Sequence, residues 1–286
     1  FLKKQDFKKE FFFKLEVGFC KKDFLFQINN HPHSPHIFNN KYPFYTEKSQ
    51  HMIDHFKLYF KWIKSNFLKK NSKVIEIGSN DGTFLNYFKK SNVEHLGIEP
   101  SSNVAKYSRK KGVKVLNKFF CYKEVKKLRK YKNSTDVICA ANVICHIPDI
   151  NDLIKSVDFL LSDRGVFIFE EPYLGSMFKR TSYDQIYDAH VFIFSIHSVD
   201  TMFAQRGFEL IDVLPQKTHG GSVRYVLARK NKRKTSRIVA KFLTKEKSLN
   251  LNNMKSCIKF KKNCIKYKNY FRKKIIELKE KGKTIC

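Results

Sequence analysis

Between residues 49 and 68, apolar side chains recur at three- and four-residue intervals: Met52, Ile53, Phe56, Tyr59, Phe60, Ile63 and Phe67. That spacing puts them on one face of a helix. After it, short apolar runs alternate with amphipathic stretches. Strands are predicted at 74–77, 94–98, 113–116, 136–140, 165–170, 208–213 and 223–229, with helices at 83–90, 103–110, 150–161 and 198–206. Such alternation predicts an α/β fold, a doubly wound Rossmann-like parallel sheet with helices on both faces. Its ligands belong at the carboxyl ends of the strands, near the switch in strand order. Residues 1–48 lack sustained periodicity and read as a short β/loop segment. Beyond 230 the chain is lysine-rich, and Met254, Ile258, Ile265, Phe271, Ile275 and Leu278 predict one long, imperfectly amphipathic helical tail. No internal repeat is visible.

With 286 residues, 42% of them hydrophobic, the chain has material for a sizeable core. Its seven cysteines, at 20, 121, 139, 145, 257, 264 and 286, are odd in number and scattered, so they form no disulfide framework. No apolar run has the length of a membrane span. Lys3, Lys4, Lys8 and Lys9 interrupt the start with charge, unlike a signal peptide. A cytoplasmic protein is expected, and no membrane partner.

The formal charge of +31 raises nucleic acid as a partner. Residues 230–286 carry 20 Lys/Arg against 3 Asp/Glu, a net of +17, while the other 229 residues carry 37 against 23, a net of +14. Lys, Asn, Phe and Ile are all abundant, as AT-biased codon usage would give, which weighs against nucleic acid as the reason for the charge. The chain starts at Phe1 and stops at Cys286 directly after the helical pattern, so a fragment of a longer protein is expected.

The most specific local signal is Glu76-Ile77-Gly78-Ser79-Asn80-Asp81-Gly82-Thr83-Phe84, joining the first predicted sheet strand to its helix. Glycines at 78 and 82 permit a tight turn and close approach of backbone to a ligand, and a helix amino terminus offers free N–H groups to a carboxylate. About 20 residues on, Glu99 ends the next strand, where an acid can accept both hydroxyls of a ribose. Asn80 and Thr83 break the Gly-x-Gly-x-x-Gly fingerprint of NAD sites. The combination favours S-adenosylmethionine (SAM). Three histidine-bearing turns follow: Asn142-Val143-Ile144-Cys145-His146 after the fourth strand, Tyr187-Asp188-Ala189-His190 after the fifth, and Thr218-His219-Gly220-Gly221-Ser222 between the last two.

Taken together, the run from Val74 through Leu85, Gly97-Ile98-Glu99-Pro100-Ser101, residues 142–149, Glu171-Pro172-Tyr173-Leu174, Tyr187 to His190 and Thr218 to Ser222 resemble the SAM-dependent sugar C-methyltransferases, which make 3-C-methylated deoxysugars on a nucleotide carrier. The likeness covers roughly 15–230. It implies three parts: a zinc-binding-type module, of which 1–48 would be a remnant, a SAM domain over 49–230, and a C-terminal domain to which the basic helical segment 231–286 would lead. It further implies Glu76, Gly78, Ser79, Asn80, Asp81, Gly82, Glu99, Pro100, Ser101 and Asn142 as cofactor-binding residues. His190 would be the base that removes the proton beside a C4 ketone, with Tyr187 near the same substrate, His146 holding or polarising it, and Tyr42 in a segment that covers the site. An imidazole can take such a proton only if preorganised donors stabilise the enolate, and in-line positioning toward the methyl group supplies much of the rate.

Three departures qualify the likeness. Cys20 alone stands where the family has a Cys-x-x-Cys half-site, and a zinc site needs four ligands, so no zinc and no other metal is expected. Ala189 replaces a Glu before the base histidine. Gly282-Lys283 would mark the entry to the C-terminal domain, most of which is expected to lie beyond this sequence. The expected function is therefore C-methyl transfer from SAM to a nucleotide-linked 4-keto-deoxysugar. The alternatives are a SAM-binding module without turnover and, less favoured, a nucleic-acid-directed methyltransferase. For the latter, Ala141-Asn142-Val143-Ile144 lacks the Asn/Asp-Pro-Pro-aromatic motif of base N-methyltransferases.

Overall fold

The structure, a computed structural model, describes residues 4–9, 12 and 14–285. Phe1, Lys3 and Cys286 lie outside them. A short 3-10 helix (Lys4–Lys9) opens the described chain, followed by two strands, β1 (Val17–Cys20) and β2 (Leu25–Ile28), a single turn α1 (Ser34–Ile37) and the long helix α2 (Gln50–Phe67). The sheet-forming region then runs β3 (Lys73–Ile77), α3 (Leu85–Lys90), β4 (Glu94–Ile98), α4 (Ser102–Lys110), β5 (Val115–Leu116), α5 (Tyr122–Val125), β6 (Thr135–Ala141), α6 (Ile150–Leu160) and β7 (Leu161–Pro172). It continues through α7 (Leu174–Arg180), β8 (Phe192–Ile193), α8 (Ile196–Ala204), β9 (Phe208–Gln216) and β10 (Ser222–Arg229), and ends in α9 (Arg237–Ser248) and α10 (Met254–Glu280).

Seven strands form the main sheet in the order β5-β4-β3-β6-β7-β10-β9. The pairs from β5 to β7 are parallel, whereas β10 runs antiparallel to both β7 and β9. The sheet is thus mixed rather than wholly parallel. Only residues 217–221 separate β9 from β10, too few for a parallel crossover. Side chains alternate between the faces. Ile75, Ile77, Ile138, Ala140, Phe167 and Phe169 enter one core, and Val74, Val137, Cys139, Val166 and Ile168 enter the other. Helix α2 covers the second face with the periodic residues Phe56, Tyr59, Phe60 and Ile63, all buried. It is tied down by Arg224, which stacks 3.7 Å from the Tyr59 ring and pairs with the buried Glu170 at 2.6 Å, while His55 holds the other Glu170 oxygen at 2.6 Å.

Two features depart from the periodicity. The amino-terminal strands do not pair only with each other, because β8 pairs with β2 and completes a three-stranded sheet. The tail is two helices instead of one. Asn250 takes φ +56° and Asn253 caps a new start by accepting from the Lys255 N–H, chemistry that ends and restarts helices. Helix α9 is anchored by Glu246, fully buried, whose oxygens accept from the Ile196 and His197 N–H groups at 2.8 Å each, at the amino terminus of α8. No described helix is long and apolar enough to cross a membrane.

Candidate active site

A cavity of about 680 Å³ opens at the carboxyl ends of β3, β4, β6 and β7, the place expected from the switch in strand order. The β3–α3 loop forms its floor. Gly78 has φ +68°, and a Cβ there would fall 2.4 Å from Val143 Cγ2, so its glycine is required by the packing of the loop against the β6 turn. Gly82, at φ +75°, instead lets the loop close on α4, since a Cβ would lie 2.2 Å from Ser108 Oγ. The close approach there is to protein, not to a ligand. The helix after the loop begins only at Leu85 and has six residues.

The candidate cofactor residues divide into two groups. Glu76, Gly78, Ser79, Asn80, Glu99, Pro100 and Asn142 line the cavity; Asp81, Gly82 and Ser101 do not. Asp81 is fully buried behind the loop, where it accepts from Thr83 N–H and Oγ1 and from Glu47 N–H. Ser101 N–H donates to Glu99 Oε1 at 2.8 Å and Asn80 N–H to Glu99 Oε2 at 2.9 Å, which fixes the carboxylate at the cavity edge. Burial raises the Glu99 carboxyl pKa against those two bonds. Glu76 is pushed well up by burial first and then by Asp81 and Glu99.

Glu76 Oε2, Ser79 Oγ and Asn142 Oδ1 are buried without a hydrogen-bond partner. Unpaired buried acceptors are costly, and these three stand where a bound molecule would satisfy them. Two acids of the lining, Glu76 and Glu99, suit a ligand that brings an ammonium group and hydroxyls. Among the described residues the lining contains no Lys or Arg. These acceptors therefore fit SAM, a cation with an ammonium group and ribose hydroxyls.

Over the mouth lies a strap of residues 42–47. Asn80 grips it by donating from Nδ2 to the Phe44 carbonyl and accepting from Thr46 N–H, and Asn103 Nδ2 donates to the Tyr42 carbonyl at 2.8 Å. Tyr42 lines the cavity, and its hydroxyl is pushed up to about 12 by burial and then by Glu99. Phe38 bridges Tyr42 and His146, with ring centroids 5.6 and 5.4 Å away.

Opposite the cofactor wall, His146, Tyr187 and His190 meet. The two imidazoles are 5.2 Å apart between centroids, and Tyr187 OH lies 2.7 Å from His190 Nε2. His190 Nδ1 is 2.8 Å from the Gln185 carbonyl, and His146 Nδ1 is 2.6 Å from the Ala189 carbonyl. A carbonyl oxygen only accepts, so both Nδ1 atoms carry the hydrogen and both Nε2 atoms keep a lone pair. Burial, then the neighbouring His146, lowers His190 to about 4. Burial likewise lowers His146 and raises Tyr187. At neutral pH the group is two neutral imidazoles and one neutral phenol.

Glu171 is the residue to which the sequence motifs assigned no role. Fully buried at the end of β7, its Oε1 accepts from the N–H groups of Val143, Ile144 and Cys145 at 2.9, 2.6 and 3.3 Å. It thereby holds the turn that presents Asn142 and His146. An acid ending an apolar strand just before Pro172 was the available signal, the same one that marks Glu99. His219, at φ +50°, also lines the cavity, so the Gly-Gly turn serves the site. Cys20 closes β1 with its thiol toward Asp23.

Comparison with known proteins gives the family. A family model described as a methyltransferase domain matches residues 50–213, and one described as a C-methyltransferase C-terminal domain matches 217–286, starting well before Gly282-Lys283, where the likeness placed the entry to that domain. The chain belongs to the SAM-dependent C-methyltransferase family. It is 27% identical over 215 residues to the C-methyltransferase NovU of Streptomyces niveus, covering 75% of this chain and 51% of that one. It is 30% identical over 145 residues to the carboxy-S-adenosyl-L-methionine synthase of Nautilia profundicola, covering 47% and 56%. The chain spans about half the length of these curated relatives. Among solved structures it is similar to the PH0226 protein of Pyrococcus horikoshii OT3, with TM-score 0.53, 17% identity, 70% of this chain and 100% of that one. It is also similar to the complex of the Haloferax volcanii Trm112 methyltransferase activator with a putative methyltransferase, with TM-score 0.51, 12% identity, 64% and 94%. At these identities the structures speak to the fold alone.

Proposed function

We propose that the protein transfers a methyl group from SAM to the carbon beside the ketone of a nucleotide-linked 4-keto-deoxysugar. The observation that carries this reading is the neutral Tyr187–His190 pair beside the cofactor wall, with the His190 tautomer set by Gln185. SAM, when bound, supplies an electrophilic methyl group. His190 Nε2, held unprotonated, takes the proton from the substrate carbon. Tyr187, which donates to that nitrogen in the free protein, is released as substrate enters and donates to the oxygen that becomes an enolate. His146 presents only an acceptor to the cavity, so it holds a sugar hydroxyl and does not polarise the ketone. The strap bearing Tyr42 excludes water.

A cavity without Lys or Arg accommodates a sugar and a cationic cofactor better than phosphates, which puts the nucleotide's diphosphate outside it. The same composition disfavours nucleic acid as substrate, because phosphate contacts dominate that affinity. His190→Gln should lower methyl transfer by about 10²–10⁴-fold, with SAM affinity measured by calorimetry within about threefold of wild type. Transfer that survives the change would refute the base assignment. Ala189 supports a second reading, a SAM-binding module without turnover, since it offers His190 no carboxylate. SAM binding with no product from any keto-sugar would favour that alternative.

A further inference from the structure

The turn that carries His146 also brings Cys145 beneath the two imidazoles. One ligand atom from each of Cys145, His146 and His190 lies within 4.8 Å of the others. Both rings are held from behind in the same way, Nδ1–H donating to the backbone carbonyls of Ala189 and Gln185. That outer hydrogen bond is the one that fixes the tautomer and raises the basicity of a metal-ligating histidine. The Cys145 thiol faces Glu171, whose Oε2 is buried without a partner.

We propose that Cys145, His146 and His190 form a binding site for a thiophilic divalent cation of the zinc class, whose binding switches methyl transfer off by occupying the lone pair of His190. Thiolate and imidazole are the ligands such cations select. Metal–ligand bonds of about 2.0–2.3 Å set tetrahedral neighbours roughly 3.4 Å apart, so the three groups must draw in by up to about 1.4 Å, with Tyr187 OH or water in the fourth place. The Cys145 S–H bond breaks, a metal–Sγ bond forms, and the displaced proton is released to solvent. The thiolate then offsets part of the dication's charge in the buried site. No oxidation or reduction takes place. This site is independent of the half-site at Cys20.

Cation binding rests on the geometry alone, and only the inhibitory consequence rests on the methyltransferase reading. The test is a cobalt(II) titration of the metal-free chain, followed by near-ultraviolet thiolate-to-cobalt absorption and by displacement with zinc. Wild type and Cys20→Ser should develop the band, and Cys145→Ser should not. If Cys145→Ser fails to fold, His146→Gln decides the matter, with cobalt affinity expected to fall by more than about tenfold. No band from folded wild type, a band that survives Cys145→Ser, or one lost in Cys20→Ser would overturn the proposal. Cobalt binding without inhibition would overturn the switch and leave the methyltransferase reading standing. Absence of methyl transfer from metal-free protein would overturn that reading and leave the cation site standing.

Discussion

Glu171 offers a stability measurement whose size follows from the structure. Burial lifts its carboxyl from the ordinary 4.5 to about 7, against the three backbone N–H groups that favour the charged form. At about 1.36 kcal/mol per pH unit, the rise is worth about 3.4 kcal/mol. The folded pKa lies above the unfolded one, so the native state binds the proton more tightly. The contribution is fully present below about pH 4.5 and is lost as pH rises through about 7. Glu171→Gln has no proton to lose, and its amide oxygen can still accept from residues 143–145. Other titrating groups are common to both proteins and cancel in the difference. Integrated between about pH 5 and about pH 8.5, wild type should lose about 2.5 kcal/mol relative to Glu171→Gln. Urea denaturation of both proteins at the two pH values measures this directly. Stability curves that run parallel within about 0.5 kcal/mol would show that Glu171 is not the buried titrating acid described.

Two further substitutions probe the frame around the site. Glu246→Ala strips the α8 amino terminus of its buried acceptor and should cost about 3–5 kcal/mol, with Glu246→Gln retaining part of it; a thermal midpoint unchanged in the alanine variant would deny the clamp between α9 and α8. Gly78→Ala combines a left-handed backbone, worth about 1–2 kcal/mol, with a Cβ 2.4 Å from Val143 Cγ2. It should lose at least about 2 kcal/mol and weaken SAM binding in calorimetry. Wild-type stability in that variant would contradict the loop packing.

The fold was legible where side-chain periodicity decides it. The apolar strands at 74–77 and 94–98 and the helix opening at Ser49 follow the chain's own pattern, and all three elements are present. Periodicity does not report strand direction, so the antiparallel β10 was hidden, although its short link to β9 contained the answer. It also could not show that β8 completes the amino-terminal sheet, because pairing across more than a hundred residues leaves no local trace. At the site, the motif placed Asp81 among the cofactor residues, yet its side chain turns inward to hold Thr83 and Glu47. Motifs give chain position and not side-chain direction. The carbonyls of Gln185 and Ala189, which set both histidine tautomers, belong to the backbone and are invisible to any residue pattern.

Proton abstraction by His190 is the central claim, and solvent exchange tests it most directly. A nucleotide-linked 4-keto-deoxysugar incubated with the full-length protein in deuterated buffer, without SAM, should take up deuterium at the carbon beside its ketone. His190→Gln should reduce that uptake to the uncatalysed rate. Exchange that continues in His190→Gln, or its absence in a wild-type protein that methylates the same sugar, would contradict the account.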